Sequence, residues 1–189
     1  MIEGPEVGRG ARAARAARTR RASLAWAVLA GIATTGCAAR FDGRTYHGDG
    51  FTFAIGEPPA SWRRLEVGHA SLAFEDATSG VDVLVNGRCD RDGEDVPLRS
   101  LVQHLFIQFT ERSAIDERIE PFDGREAMRA SLTAKLDGVP RRFVAWVLKK
   151  DGCVYDVLLV APPDASDSTI GAFDAWTRSF HVAPREGDR

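Results

Sequence analysis

Three cysteines and four histidines in 189 residues leave little material for metal centres or nucleophilic catalysis. None of it falls into a recognised local motif. The sequence has no C-x-x-C, no H-x-x-x-H, no G-x-S-x-G, no phosphate-binding G-x-x-x-x-G-K and no G-x-G-x-x-G, so the spacings that announce zinc, thiol redox, acyl transfer or nucleotide chemistry are missing. Long apolar runs are missing too. The longest covers the ten residues 24–33, about half of what a helix needs to cross a bilayer. Collagen-like or low-complexity repeats do not occur, and the formal net charge is only -2.

What is present is ordinary globular material. Hydrophobic residues make up 44% and charged residues 28%, a balance that can bury one core and keep it soluble. The small net charge hides an asymmetry. Before Cys37 there are six arginines (9, 12, 15, 18, 20 and 21) against Glu3 and Glu6, giving +4, while the nineteen bases and twenty-five acids that follow give -6. An acidic body repels phosphate backbones, which argues against nucleic acid as a partner.

The basic end has an address pattern. Arg20 and Arg21 precede the apolar run Leu24 to Ala33, which ends in Thr34-Thr35-Gly36-Cys37. A positive segment, a short apolar segment and a small-residue exit make a secretory signal. The cysteine makes it resemble a bacterial lipoprotein signal, in which small residues precede the Cys that is acylated and becomes the new N-terminus. Thr35, Gly36 and Cys37 follow that pattern, whereas Thr34 stands where the family usually has Leu. An ordinary cleaved signal or an uncleaved anchor is the competing account. Thr19 to Leu24 also half-matches a twin-arginine export signal, with Ser23 where Phe is preferred, and the long basic segment leaves open a start near Val7. The resemblance implies lipidation of Cys37 and, with Ala38 rather than Asp next to it, the outer membrane. Two ester-linked chains suffice for stable attachment.

Residues 1–36 are therefore expected to be a signal peptide and 37–50 a lipidated tether. The domain is expected over 51–182, with 183–189 a disordered tail. Phe51, Phe53 and Ile55 alternate with Thr52 and Ala54 and predict a first strand, followed by three short runs at 61–67, 71–75 and 81–86. Leu98, Leu101, Val102, Leu105, Phe106 and Phe109 fall on one helical face, with Asp95 placed to cap and Pro97 in the first turn. Ile107 falls opposite that face. From Met128 to Asp137 apolar and polar residues alternate strictly, predicting a strand with one dry and one wet face. Asp123-Gly124, Asp137-Gly138 and Asp151-Gly152 each separate extended runs and predict three two-residue hairpins in series.

The runs 143–148 and 153–160 are apolar at nearly every position, so both faces of those strands must be covered. A second helix is predicted from Ser166 to Phe180, with Ile170, Phe173, Trp176, Thr177 and Phe180 at helical spacing after Pro162-Pro163. The expected fold is α+β, a three-layer α/β/α sandwich around a mainly antiparallel sheet, with two principal helices. Gly50-Phe51-Thr52-Phe53, Pro58-Pro59 and Trp62, with Phe173, Trp176 and Ser179-Phe180 after a strand centred on Tyr155, resemble the PsbP-like superfamily over residues 51–180. That resemblance implies a binding or assembly factor and carries over no catalytic residue.

Cys89 and Cys153 remain after Cys37. Outside the cytosol such a pair points to a disulfide, with two buried thiols as the alternative. Asp90, Asp92, Glu94 and Asp95 crowd one loop, but the EF-hand positions for Gly and Glu hold Asp95 and Leu101, so a solvated loop is favoured over calcium. His47, His69, His104 and His181 share no ligand spacing, and Glu75-Asp76 and Asp116-Glu117 read as local charges. Arg63-Arg64, Arg141-Arg142 and Lys149-Lys150 fall on predicted strands or their ends and are expected at solvated edges, with docking of an acidic partner by one doublet as the alternative. Trp62, Trp146 and Trp176 are expected in the core on helical or strand phase, with Trp62 the least constrained of the three, and Trp62 and Ile107 are the candidate partner contacts. The expected function is a non-catalytic, lipid-anchored periplasmic lipoprotein that binds a protein partner or small ligand in an envelope complex, without metal or cofactor. The alternative is a periplasmic hydrolase whose site is assembled from distant His, Asp and Glu residues.

Overall fold

Among the described residues, two antiparallel sheets and two helices form an α+β fold dominated by strands. The computed structural model describes residues 39–89 and 95–184. In chain order the elements are β1 Arg40–Phe41, β2 Thr45–His47, β3 Thr52–Ala54, β4 Arg63–Leu65, β5 Leu72–Asp76, β6 Val81–Arg88 and α1 Leu98–Leu105. Then come β7 Thr110–Phe122, β8 Arg125–Leu136, β9 Val139–Lys150, β10 Cys153–Ala161, α2 Asp167–Thr177 and β11 His181–Val182. The large sheet runs β4-β5-β6-β10-β9-β8-β7 and the small one β1-β2-β3-β11.

The three Asp-Gly pairs set the topology of the large sheet. Asp123, Asp137 and Asp151 sit at φ 49°, 51° and 53°, and Gly124, Gly138 and Gly152 at 73°, 80° and 72°. Positive φ at both central residues is the turn whose twist matches that of paired strands. Phe122↔Arg125, Leu136↔Val139 and Lys150↔Cys153 accordingly close the hairpins β7-β8, β8-β9 and β9-β10 with two-residue loops.

Alternation then divides the centre of the sheet into two dry faces. Phe143, Ala145 and Val147 of β9 and Val154 of β10 join the core around α1, where Leu101, Val102 and Phe106 are buried. Val144, Trp146 and Leu148, with Tyr155, Val157 and Leu159, point the other way, toward Ile170, Phe173 and Trp176 of α2 and Phe51, Phe53 and Ile55 of the small sheet. Burying each such side chain is worth about 1.5 to 3 kcal/mol. The expected helix layer on each side is therefore only approximated. One face is covered jointly by α2 and a four-stranded sheet, and α1 packs on β8 and β9.

Several expectations are corrected. The stretch read as a tether folds: Arg40 and Phe41 pair with His47 and Tyr46, because Tyr46 stacks on Phe53 at 5.1 Å and is buried. At the other end, Ala183 donates its N–H to Thr52 O at 3.0 Å, and only 185–189 lie outside the described residues. The strand at Thr52–Ala54 belongs to the small sheet, apart from β4, β5 and β6. Asp95 does not cap α1. Pro97 occupies the N-cap without a side-chain hydrogen bond, and the helix ends at Leu105, with Phe109 reaching Phe143 at 4.8 Å from the following turn. α2 starts as expected, Ser166 Oγ accepting from the Thr169 N–H at 3.2 Å.

The largest correction concerns β8. Its supposed wet face holds Arg129 and Ser131 at 5% and 3% exposure, since α2 covers that side. Arg129 is satisfied there by Asp174 of α2, Nε to Oδ1 at 3.0 Å and Nη2 to Oδ2 at 2.8 Å. Trp146 Nε1 donates to the same Oδ1 at 2.8 Å, and the Arg178 guanidinium lies 4.8 Å above the Trp146 ring. Removing one member of such a buried pair strands the other charge. Asp174→Ala is expected to lower stability by about 3 kcal/mol in urea unfolding, and adding Arg129→Met to recover part of that loss. Equal stabilities of wild type and Asp174→Ala would show that the pair holds nothing together.

Candidate functional site

Four elements of the large sheet end together where β6 finishes, β10 begins, β9 finishes and β8 begins. Their register fixes this, since Arg88 pairs with Val154, Val154 with Lys149, and Lys150 with Cys153. One position beyond the Arg88↔Val154 pair, Cys89 and Cys153 are joined by a disulfide. The bond closes a separation of 64 residues that contains α1 and the whole β7 to β9 meander. Beside it the Phe51 ring lies flat on the backbone. A Cβ at Gly87 or at Gly48 would come within 2.5 Å of that ring, so both positions require glycine for the approach.

Next to the disulfide sits a buried carboxylate. Asp156 is 2% exposed, on the α1 side of β10. Its register partner Asn86 donates Nδ2–H to Oδ2 at 2.9 Å, and Arg88, two residues on and on the same face, donates to Oδ1 at 3.2 Å. Burial pushes the Asp156 carboxyl above its ordinary range, and the bonds from Asn86 and Arg88 oppose but do not cancel that rise. Asn86 is fixed in turn, its Oδ1 accepting the Ser71 N–H at 3.3 Å. With both carboxylate oxygens occupied and almost no exposure, Asp156 clasps β6 to β10 rather than facing a ligand.

A cleft of about 470 Å³ opens at the same end. It is lined by Leu98 at the start of α1, Gly124, Arg125 and Glu126 at the β7-β8 turn, and Lys149 at the end of β9. Lys149 Nζ donates to Val96 O at 2.9 Å. The volume falls in the range of small-molecule pockets, and the charged lining offers hydrogen bonds to a polar ligand.

The residues singled out from sequence are not gathered there. Cys37 and positions 90, 92 and 94 of the acidic loop lie outside the described residues. Trp62 is half-buried, edge-on to Trp176 at 5.2 Å and 6.4 Å from Phe74, so its indole is largely spent on the α2-side core. Ile107, 68% exposed, follows α1 on the other side of the sheet. His47 and His181 flank opposite ends of β3, opposite Thr52 and Ala54, while His69 lies in the β4-β5 turn and His104 on α1. The paired acids are occupied locally: Glu75 with Arg63, Asp76 with Ser61, Asp116 with Arg118 and Glu117 with Arg99. Among the described residues no group of three or more His, Cys, Asp or Glu is placed to hold a metal ion.

Of the basic doublets, Arg63-Arg64 does lie on an edge strand, β4. The other two occupy the ends of the central strand β9, where Arg142 donates to Ala165 O at 3.3 Å and Lys150 meets Asp123 at 2.9 Å. Sequence reasoning missed Asp156, Asn86 and Arg88. A signal existed, namely one carboxylate inside Cys153 to Ala161, a run whose two faces both had to be dry.

Neither a protein-family model nor any curated protein sequence matches this chain. Solved structures do. The crystal structure of LpqN of Mycobacterium tuberculosis, a protein involved in cell envelope biogenesis, is similar at a TM-score of 0.52 and 17% identity, over 73% of this chain and 88% of that one. The solution structure of the cyanobacterial PsbP, CyanoP, of Synechocystis sp. PCC 6803 is similar at a TM-score of 0.51 and 18% identity, over 79% of this chain and 99% of that one. The fold is PsbP-like; at these identities the likeness is one of fold.

Two outcomes are expected from this geometry. Replacing Cys89 and Cys153 by Ser lowers stability by about 4 kcal/mol, the chain-entropy value for a loop of this length, and without reductant the native protein resists iodoacetamide at both sulfurs. Rapid alkylation of both would contradict the bond. For Asp156, a folded pKa above the unfolded one means that the folded chain holds the extra proton. Its stabilising contribution is therefore complete below about pH 3.9 and is lost as pH rises through the folded value. The stability of wild type relative to Asp156→Asn should fall between pH 3 and pH 7 in urea titrations, and a rise over that interval would reverse the assignment.

Proposed function

We propose that the chain is a non-catalytic lipoprotein of the cell envelope, acylated at Cys37, anchored at the periplasmic side of the outer membrane, whose domain binds a protein partner or a small ligand within an envelope complex. The observation that carries this reading is the run from Arg20-Arg21 through Leu24 to Ala33 to Gly36-Cys37, which matches a lipoprotein export signal in charge, length and cysteine placement. Support comes from the fold. It is shared with LpqN, a protein involved in cell envelope biogenesis. The disulfide fits an oxidising compartment outside the cytosol, and Ala38, not Asp, next to the acylated position favours the outer membrane. For the small-ligand form of the reading, the cleft beside Arg125 and Lys149 supplies a volume of suitable size. For the protein form, Ile107 supplies an exposed apolar side chain.

The anchor has a direct test. Cys37→Ser is expected to move the protein from the envelope pellet to the soluble fraction, and mass spectrometry of the wild-type N-terminal peptide to find the acyl chains. A Cys37→Ser variant that still pellets after a high-salt wash would overturn the assignment. Crosslinking in living cells is expected to capture a specific envelope neighbour or, in the small-ligand case, none while native mass spectrometry finds a bound molecule.

A further inference from the structure

The first described strand fixes where the anchored chain enters the domain. Arg40 pairs with His47, and the turn that follows, closed by the Gly48 N–H to Phe51 O at 2.9 Å, lays Phe51 on Gly87 beside the disulfide. The exit lies at the same end, because the Val182 N–H donates to Asp123 Oδ2 at 2.8 Å, in the β7-β8 turn that borders the cleft. Only Ala38 and Ala39 separate Cys37 from Arg40, three peptide steps with a reach of at most about 11 Å even when fully extended. The opposite end of the sheet, where the turn at Gly80 meets Pro162, is further off by the length of β6, eight residues or about 26 Å.

From this we infer that the disulfide end of the domain, with its charged cleft, is the surface that faces the lipid leaflet, held against the phospholipid headgroups by the short link from Cys37 to Arg40. The inference rests on the acylation proposed above. A basic patch is not what holds it there. Arg40 and Arg125 at this end are exposed, but so are Asp49, Glu126 and Asp151, so the attachment should be insensitive to salt, unlike one made by surface charge. The consequence for binding is directional. The cleft then lies at the end next to the headgroup layer, whereas the turns around Gly80 and Asp164 project into the aqueous space, where a protein partner can reach them.

The test uses the acylated full-length mature chain in phosphatidylcholine vesicles that carry a headgroup nitroxide. A bimane label is placed at Asp49→Cys or Glu126→Cys near the disulfide end, or at Ala77→Cys or Asp164→Cys at the far end, all exposed positions. Labels at 49 and 126 are expected to be quenched several-fold more than those at 77 and 164, with no change in high salt. A long Gly/Ser insertion between Cys37 and Arg40 is expected to remove the difference while vesicle binding persists. Equal quenching at all four positions on a chain whose Cys37 is shown by mass spectrometry to be acylated overturns the orientation alone. An unmodified Cys37 overturns the anchor and the orientation with it. Quenching that vanishes in salt, or that survives the insertion, overturns the short link as its cause.

Discussion

The two central strands of the large sheet are apolar on both faces, and the rest of the structure answers that constraint. A strand such as β9, with Phe143, Ala145 and Val147 on one side and Val144, Trp146 and Leu148 on the other, cannot leave either side in water. One helix is not enough to cover a seven-stranded sheet. The chain therefore folds its first strands and its last into a second small sheet beside α2. That need explains why Arg40 to His47, polar as it reads, is drawn into the fold. Tyr46 has an aromatic cluster to complete.

Covering both faces creates an electrostatic problem wherever a charged residue falls under a layer. Arg129 is solved by Asp174, delivered by α2, with Trp146 sharing the same carboxylate. Asp156 is solved by Asn86 and Arg88 from the neighbouring strand. Both solutions also specify geometry. The first fixes α2 over β8 and β9, and the second fixes the register of β6 on β10, a pairing between strands far apart in sequence that no tight turn sets. The disulfide lies one residue beyond the second clasp, so covalent and polar constraints reinforce the same junction.

That junction also lies where the chain enters and leaves the domain. The end bearing the cleft is thus tied by the disulfide and the Asp156 clasp, beside the strand through which the chain enters at Arg40. The long edge strand β7 is treated differently. It is interrupted by two register irregularities, contains Pro121 and carries alternating acids and arginines, features that discourage edge-to-edge pairing.

Local chemistry made much of this legible. Asp-Gly at three positions dictated three hairpins, because few other dipeptides accept positive φ twice, and doubly apolar strands dictated cover on both sides. Ser166 after Pro162-Pro163 marked where α2 begins, and the spacing of Leu98 to Phe106 marked the face of α1. The export pattern proposed for residues 20–37, too, rests on contiguous residues. What remained hidden depended on pairing between distant segments. Whether Arg129 meets water or Asp174 depends on a helix 45 residues later. Trp62 and Ile107 are both candidate contacts from sequence, yet one is taken up by Trp176 and the other left in solvent. Only the assembled sheet decided that Asp156 would be a clasp and that the cleft would open beside the point where the chain enters, because burial and proximity are sums over neighbours that sequence order does not supply.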